Sequence, residues 1–115
     1  MLTLIVCTAL SLTGTPTGYA YGAGSGPAAG RPYQSNYWEA GPVQDLGEVM
    51  QLSCGYYHSV AVRQDGHVLT WGSNERSQLG LGTGSAKITA LSTPTVVQNL
   101  PNSMAVAAGG TFTLA

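Results

Sequence analysis

The stretch that decides the fold is HSVAVRQDGHVLTWG, residues 58–72. Ser59 to Gln64 and His67 to Trp71 both alternate side chains with a period of two, which is typical of half-buried strands. Asp65-Gly66 separates the two segments. This dipeptide predicts a type I′ turn, because both central residues of that turn have positive φ and Asp-Gly tolerates them.

A two-residue turn fixes the register of the two strands. The predicted facing pairs are Val62 with Leu69, Val60 with Trp71, and Ala61 with Thr70. The first two pairs then form one apolar face, and the third lies on the opposite face. We therefore expect Trp71 to be the most buried aromatic side chain of the unit.

The beginning of this unit returns near the chain end, at an offset of 54 residues that places Gly55 on Gly109. The same offset places Val60 on Leu114. A period of about 50 residues built from short strands is typical of a β-propeller blade. The sequence therefore predicts an all-β fold, a partial β-propeller with one four-stranded blade plus the start of the next.

Residues 49–115 resemble the repeat of the regulator of chromosome condensation family, over a little more than one repeat. The matching residues are Gly55, His58, Asp65, Gly66, Val68, Trp71, Gly72, Asn74, Gln78, Leu79, Gly80 and Gly82. Ser77 stands where the family usually has Gly, and Phe112 stands where the second copy would have His. The resemblance implies a seven-bladed propeller, of which this chain is a fragment, and a structural role for the motif residues.

Each repeat of this kind leaves an apolar face that only a neighbour can cover, so about three or more are needed for stability. The 115 residues hold one repeat and a fraction in this interpretation. The predicted organisation is a signal segment at 1–22, a Gly/Pro/Ala-rich linker at 23–45, and a propeller region at 46–115.

The N-terminal run 2–12 is apolar and too short to span a membrane. It is typical of a secretory signal peptide, although no Lys or Arg precedes Arg31. The alternatives are an uncleaved anchor or lipid-linked form and an ordinary buried strand. We expect a secreted or extracellular protein, with a cytoplasmic or nuclear location as the alternative.

Residues 13–45 show no periodicity, and their composition predicts a linker. One interpretation is an exposed aromatic patch of Tyr33, Tyr37 and Trp38. The other, which composition favours, is that Tyr37-Trp38-Glu39 packs on the side of the propeller as an edge segment. Farther along, we expect a loop over 72–93 and a short strand at Thr95–Val97.

Composition and spacing argue against several kinds of chemistry. The net charge is −1 and only 4 residues are Lys or Arg, so we expect no nucleic-acid partner. Cys54, His58 and His67 match no zinc spacing, and we expect no metal. Asp65 is explained by its turn. The loop Gly80–Gly84 lacks the lysine of a phosphate-binding loop, and we expect no cofactor.

Three functional interpretations stay open. The first is a non-catalytic protein-interaction module with a protein partner of unknown identity, since propellers present binding loops on a rigid ring. The second is a guanine-nucleotide exchange factor for a small GTPase, which the resemblance implies through the family's founding member. The third is a fragment without an independent function.

Overall fold

The computed structural model describes residues 5–8, 18–24, 30, 37–82 and 87–115. Within these ranges the chain forms antiparallel strands in three sheets. The strands are β1 (Ile5–Thr8), β2 (Tyr19–Gly24), β3 (Tyr37–Pro42), β4 (Val49–Cys54), β5 (His58–Arg63), β6 (Val68–Ser73), β7 (Ala90–Val96), β8 (Ala107–Ala108) and β9 (Thr113–Leu114).

The four-stranded sheet, in the order β4-β5-β6-β7, is the predicted blade, here called the central blade. β8 and β9 pair with each other and begin the next unit, and β1-β2-β3 form a third sheet before the blade. The prediction of an all-β fold with one complete blade and the start of another is confirmed.

The hairpin between β5 and β6 differs from the predicted type I′ turn. Arg63 N–H donates to the His67 carbonyl at 2.9 Å, so Gln64, Asp65 and Gly66 form a three-residue loop. Gly66 has φ 85, as expected, whereas Asp65 keeps an ordinary negative φ. The Asp65 carboxylate accepts the His67 N–H at 3.0 Å, which favours this longer loop.

The extra loop residue shifts the register by one, so the predicted facing pairs are wrong. The observed pairs are Ser59 with Trp71, Val60 with Thr70, Ala61 with Leu69, and Val62 with Val68. Trp71 therefore shares a face with Ala61 and Leu69, and Val60 lies on the other face. The alternation of side chains could not distinguish the two registers, because both faces of the blade are apolar and buried.

β7 is longer than predicted. It begins at Ala90, inside the expected loop 72–93, and ends at Val96. Pro94 lies within this strand, where its missing N–H is tolerated because β7 is the edge strand of the sheet.

The interpretation of residues 13–45 as a linker without regular structure is wrong for the part that the structure describes. β2 and β3 pair with each other, and Gly18 forms a bridge with Val49 at the start of β4. Tyr33 and most of the N-terminal run lie outside the described residues. The division at 22 and 45, and the signal segment, stay predictions. Within the described ranges, no helix has the length and apolar character of a membrane span.

Candidate functional site

Trp71 packs the central blade against Gly30 and against the segment between β3 and β4, a contact that we name the first junction. Its side chain is fully buried, with Val43, Leu46 and Val49 around it. A Cβ added at Gly30 would lie 2.7 Å from the indole Nε1, so the glycine is required for the indole to approach the backbone. Trp71 is therefore a packing residue between units, and its complete burial is as expected.

The residues that receive Trp71 have counterparts later in the chain. Val43-Gln44-Asp45-Leu46 and Val97-Gln98-Asn99-Leu100 are separated by the same 54 residues as Gly55 and Gly109. The backbone agrees, since Asp45 and Asn99 have left-handed φ values of 56 and 59. Gly30 and Gly80, which are 50 residues apart, also have similar φ values of 66 and 64. Residues before Val49 thus form part of an earlier repeat, which the sequence analysis missed.

The second junction is the contact of the central blade with β8 and β9. Side chains of β4 reach the backbone of the next unit: Gln51 Oε1 accepts the Val106 N–H at 3.1 Å, and Ser53 Oγ accepts the Ala108 N–H at 2.9 Å. At the equivalent positions, 54 residues later, stand Ala105 and Ala107. Alanine has no side-chain oxygen, so neither residue can repeat the side-chain hydrogen bonds of Gln51 and Ser53.

His58 spans the second junction and is 1% exposed. Its Nε2 lies 3.0 Å from Thr113 Oγ1, and the Thr113 hydroxyl donates to the Gln78 carbonyl at 2.8 Å. Because the hydroxyl proton is used there, the neutral histidine donates from Nε2, and Nδ1 has no partner within the described part of the chain. Burial lowers the pKa of His58, and the Phe112 carbonyl opposes this effect.

The polar motif side chains after β6 hold one turn together. Asn74 accepts the Leu79 N–H at 3.1 Å and donates to the Ile88 carbonyl at 2.9 Å. Gln78 Oε1 accepts the Arg76 N–H at 2.8 Å. Leu79 is fully buried beneath this turn. Asn74 therefore satisfies the buried Leu79 N–H, and Asn74 and Gln78 also bond to partly buried backbone groups of the same turn.

The motif glycines occupy positions where a side chain is strained or has no room. Gly66, Gly72, Gly80 and Gly82 have positive φ. A Cβ at Gly55 would overlap the Gly109 carbonyl and the His58 ring. Ser77 has φ 58 where the family usually has Gly, which explains the family's preference at that position.

The structure separates the residues considered for chemistry. His58 and His67 lie at opposite ends of β5, and Cys54 is exposed. Within the described ranges, no cluster of three His, Cys, Asp or Glu could hold a metal ion. Hydrogen bonds from His67 and Arg63 lower the pKa of Asp65 to about 2, so this exposed carboxylate is a turn residue. Gly84 of the glycine loop lies outside the described residues.

An exposed aromatic surface lies at the loop between β4 and β5, which we name the tyrosine loop (Gly55, Tyr56 and Tyr57). Tyr56 is 75% exposed and Tyr57 is 62% exposed. The loop backbone is anchored, because Tyr56 N–H donates to the Gly110 carbonyl at 3.1 Å and the Tyr57 carbonyl accepts the Ser73 N–H at 2.7 Å. Two aromatic rings are thus presented on a fixed backbone.

Two models of the regulator of chromosome condensation (RCC1) repeat match the chain, over residues 65–115 and 49–78. The probable E3 ubiquitin-protein ligase HERC4 of Homo sapiens is 43% identical over 63 residues, 55% of this chain and 6% of that protein. The RCC1 domain-containing protein RUG3, mitochondrial, of Arabidopsis thaliana is 34% identical over 99 residues, 83% of this chain and 21% of that protein.

The crystal structure of Prp20p from Saccharomyces cerevisiae superposes with a TM-score of 0.67 at 20% identity, covering 86% of this chain and 26% of that one. This similarity shows the propeller fold. The RUG3 and Prp20p matches are both longer than residues 49–115, so they include residues before Val49. This agrees with an earlier repeat in that region. The chain spans a quarter or less of the two curated relatives.

Proposed function

Because the chain belongs to the RCC1 repeat family, we propose that it is a non-catalytic protein-interaction segment of a larger propeller. The observation that carries the proposal is how the motif residues are used. His58, Asn74, Gln78 and Thr113 bond to one another or to nearby backbone groups, whereas the tyrosine loop is exposed. The motif side chains are thus used in packing and hydrogen bonding, and an exposed contact surface lies beside them.

Exposed tyrosines on an anchored backbone suit protein recognition. Tyrosine offers a large contact area at a low cost in side-chain entropy and is enriched at the energetic centres of interfaces. Few charges are available to steer a partner, because charged residues make up 8% of the chain. We therefore propose a partner bound mainly through aromatic and backbone contacts.

The test is site-specific photo-crosslinking in the parent protein. A photoreactive phenylalanine replaces Tyr57 in one variant and Gln64 in a matched control. Gln64 is also exposed but lies at the opposite end of β5, in the other hairpin loop. We expect a discrete protein adduct from position 57 and none from position 64. Equal adducts from both, or none from either, would contradict the proposal.

A guanine-nucleotide exchange activity is the second candidate. It is favoured by the similarity to Prp20p, whose structure report names binding to Gsp1p and histones. The parent protein is mixed with small GTPases loaded with a fluorescent guanine nucleotide. Accelerated release at catalytic amounts of the parent would establish this alternative and exclude a purely non-catalytic role. Secretion stays a prediction, which N-terminal sequencing of the mature protein tests.

A further inference from the structure

The two tyrosines of the tyrosine loop are held in place by different units. The Tyr57 carbonyl accepts the Ser73 N–H at 2.7 Å, and a Cβ added at Gly72 would lie 2.5 Å from that carbonyl oxygen. Tyr57 is therefore fixed by β6 of its own blade. Tyr56 is fixed by the next unit instead, because its N–H donates to the Gly110 carbonyl at 3.1 Å.

The ring of Tyr56 also lies against Gly110. A Cβ added at Gly110 would lie 3.0 Å from Cε2 of the Tyr56 ring, 3.3 Å from Cδ2 and 3.4 Å from Cζ, which is closer than most contacts of a Cβ atom. The φ of Gly110 lies outside the left-handed region, so the backbone there does not itself require glycine. The glycine is therefore explained by the space that the ring needs.

Gly110 is the counterpart of Tyr56 in the next unit, at the same offset of 54 residues. The aromatic residue of one unit thus lies on the equivalent position of the following unit, where even a methyl group would crowd the ring. Tyr56 is 75% exposed on this support, so the glycine positions the ring without covering it. A ring that is already held in one orientation loses less freedom when a partner binds.

We propose that Gly110 is a positioning residue for the recognition surface of the tyrosine loop, which is therefore a composite of two consecutive units. Tyr57 is presented by the central blade alone, whereas the orientation of Tyr56 depends on the loop between β8 and β9. A partner that contacts both rings then requires both units in place, and the residue at position 110 sets the shape that this partner meets. This inference rests on the proposed function and adds to it a residue that has no side chain of its own.

The first measurement uses the 115-residue chain without a partner. In NMR spectra the ring current of Tyr56 should shift the α-protons of Gly110, and Tyr56→Ala should remove that shift, whereas the control Tyr57→Ala should retain it. Gly110→Ala should move the ring resonances of Tyr56, because the added methyl group meets that ring, and should leave those of Tyr57 unchanged. Unchanged Tyr56 resonances in Gly110→Ala, with Trp71 fluorescence still reporting a folded blade, would overturn the positioning role.

The second measurement uses the parent protein with the photoreactive residue at position 57. Gly110→Ala should lower the adduct yield at least about twofold, the lower end of the coupling between side chains in contact. Tyr56→Ala should lower the yield as well. In the Tyr56→Ala background, Gly110→Ala should have no further effect, because the glycine acts through the ring. Additive losses would contradict the proposal, since Gly110 would then act independently of Tyr56.

The two measurements distinguish this inference from the proposed function. Absence of any adduct in the parent without further substitutions would reject the proposed function, and with it the recognition role of Gly110. The ring-current shifts separately decide whether Gly110 positions the Tyr56 ring. A normal adduct yield in Gly110→Ala together with a displaced Tyr56 ring would retain the proposed function and reject the composite surface.

Discussion

The two junctions of the central blade are built from equivalent residues, yet they are filled to different degrees. At the first junction Leu46 is 1% exposed, and at the second its counterpart Leu100 is 40% exposed. The first is closed by Trp71 from β6, whereas the second is held by hydrogen bonds from Gln51, Ser53 and His58. At the first junction the apolar closure comes from Trp71, on the third strand of the following unit.

This comparison separates two kinds of contact in a repeat array. At the second junction, hydrogen bonds to β8 and β9 orient the neighbouring unit, whereas at the first junction Trp71 fills the apolar contact. One hydrogen bond makes a net contribution to stability of about 0.5–1.5 kcal/mol, and a buried aromatic side chain contributes more. The first junction should therefore contribute more to the stability of this chain than the second.

The largest expected effect on stability comes from removing the indole side chain that fills the first junction. Trp71→Ala should lower the free energy of unfolding by about 3–5 kcal/mol, since the fully buried indole leaves a cavity. Urea denaturation followed by circular dichroism measures this. Tyr57→Ala is the control, because its ring is 62% exposed, and it should change stability by about 0.5 kcal/mol or less. Similar losses in both variants would contradict the closure of the junction by Trp71.

The same substitution at Leu46 and at its counterpart Leu100 compares the two junctions directly. Leu46→Ala should cost about 2–5 kcal/mol, the range for buried leucines, whereas Leu100→Ala should cost about 1 kcal/mol or less. Both substitutions remove the same atoms from equivalent positions, so the difference reports closure alone. Equal losses in urea denaturation would mean that the second junction is as well closed as the first.

The pH dependence of stability should show the titration of His58, which is buried at the second junction. Burial lowers the folded pKa of His58 below its ordinary value of 6.5, so the unfolded chain binds more protons than the folded chain in the window just below 6.5. The contribution of His58 to the free energy of unfolding is therefore fully present above pH 6.5, and it is lost as the pH falls from 6.5 toward the folded pKa. No charged side chain among the described residues contributes to this shift.

Urea midpoints at pH 7 and at pH 5 measure this effect. His58→Gln removes the titrating ring and keeps a side-chain N–H donor, so its midpoint should change less over the same interval. Protonation of Asp65 affects stability in a separate, more acidic window, because its folded pKa of about 2 lies below its ordinary value of 3.8. If the wild-type and variant midpoints fell in parallel from pH 7 to pH 5, His58 would not be the responsible group.

The sequence predicted the blade and the burial of Trp71, because the turn dipeptide and the strand alternation are local signals. It did not predict the register, since Val60, Val62 and Val68 make the second face as apolar as the first. It also missed the earlier repeat. The sequence does contain a signal of the earlier repeat, because Val43 to Leu46 resembles Val97 to Leu100. However, the sequence of the tight β5–β6 hairpin has no recognisable copy earlier in the chain, and the glycine-rich composition of that region suggested a linker.

The smallest expected effect concerns the wall of the second junction, where Ser77 has a left-handed φ of 58. A non-glycine residue in this conformation is strained by roughly 1–2 kcal/mol. Ser77→Gly should relieve that strain, partly offset by the greater flexibility of glycine in the unfolded chain, for a net gain in the free energy of unfolding of about 0.5–1 kcal/mol.

Ser103→Gly is the control, because Ser103 has no positive φ and its replacement should be neutral or destabilising. A loss of stability in Ser77→Gly would show that the serine side chain contributes more than its backbone strain costs. The second junction would then be held by a contact that the family's usual glycine cannot make.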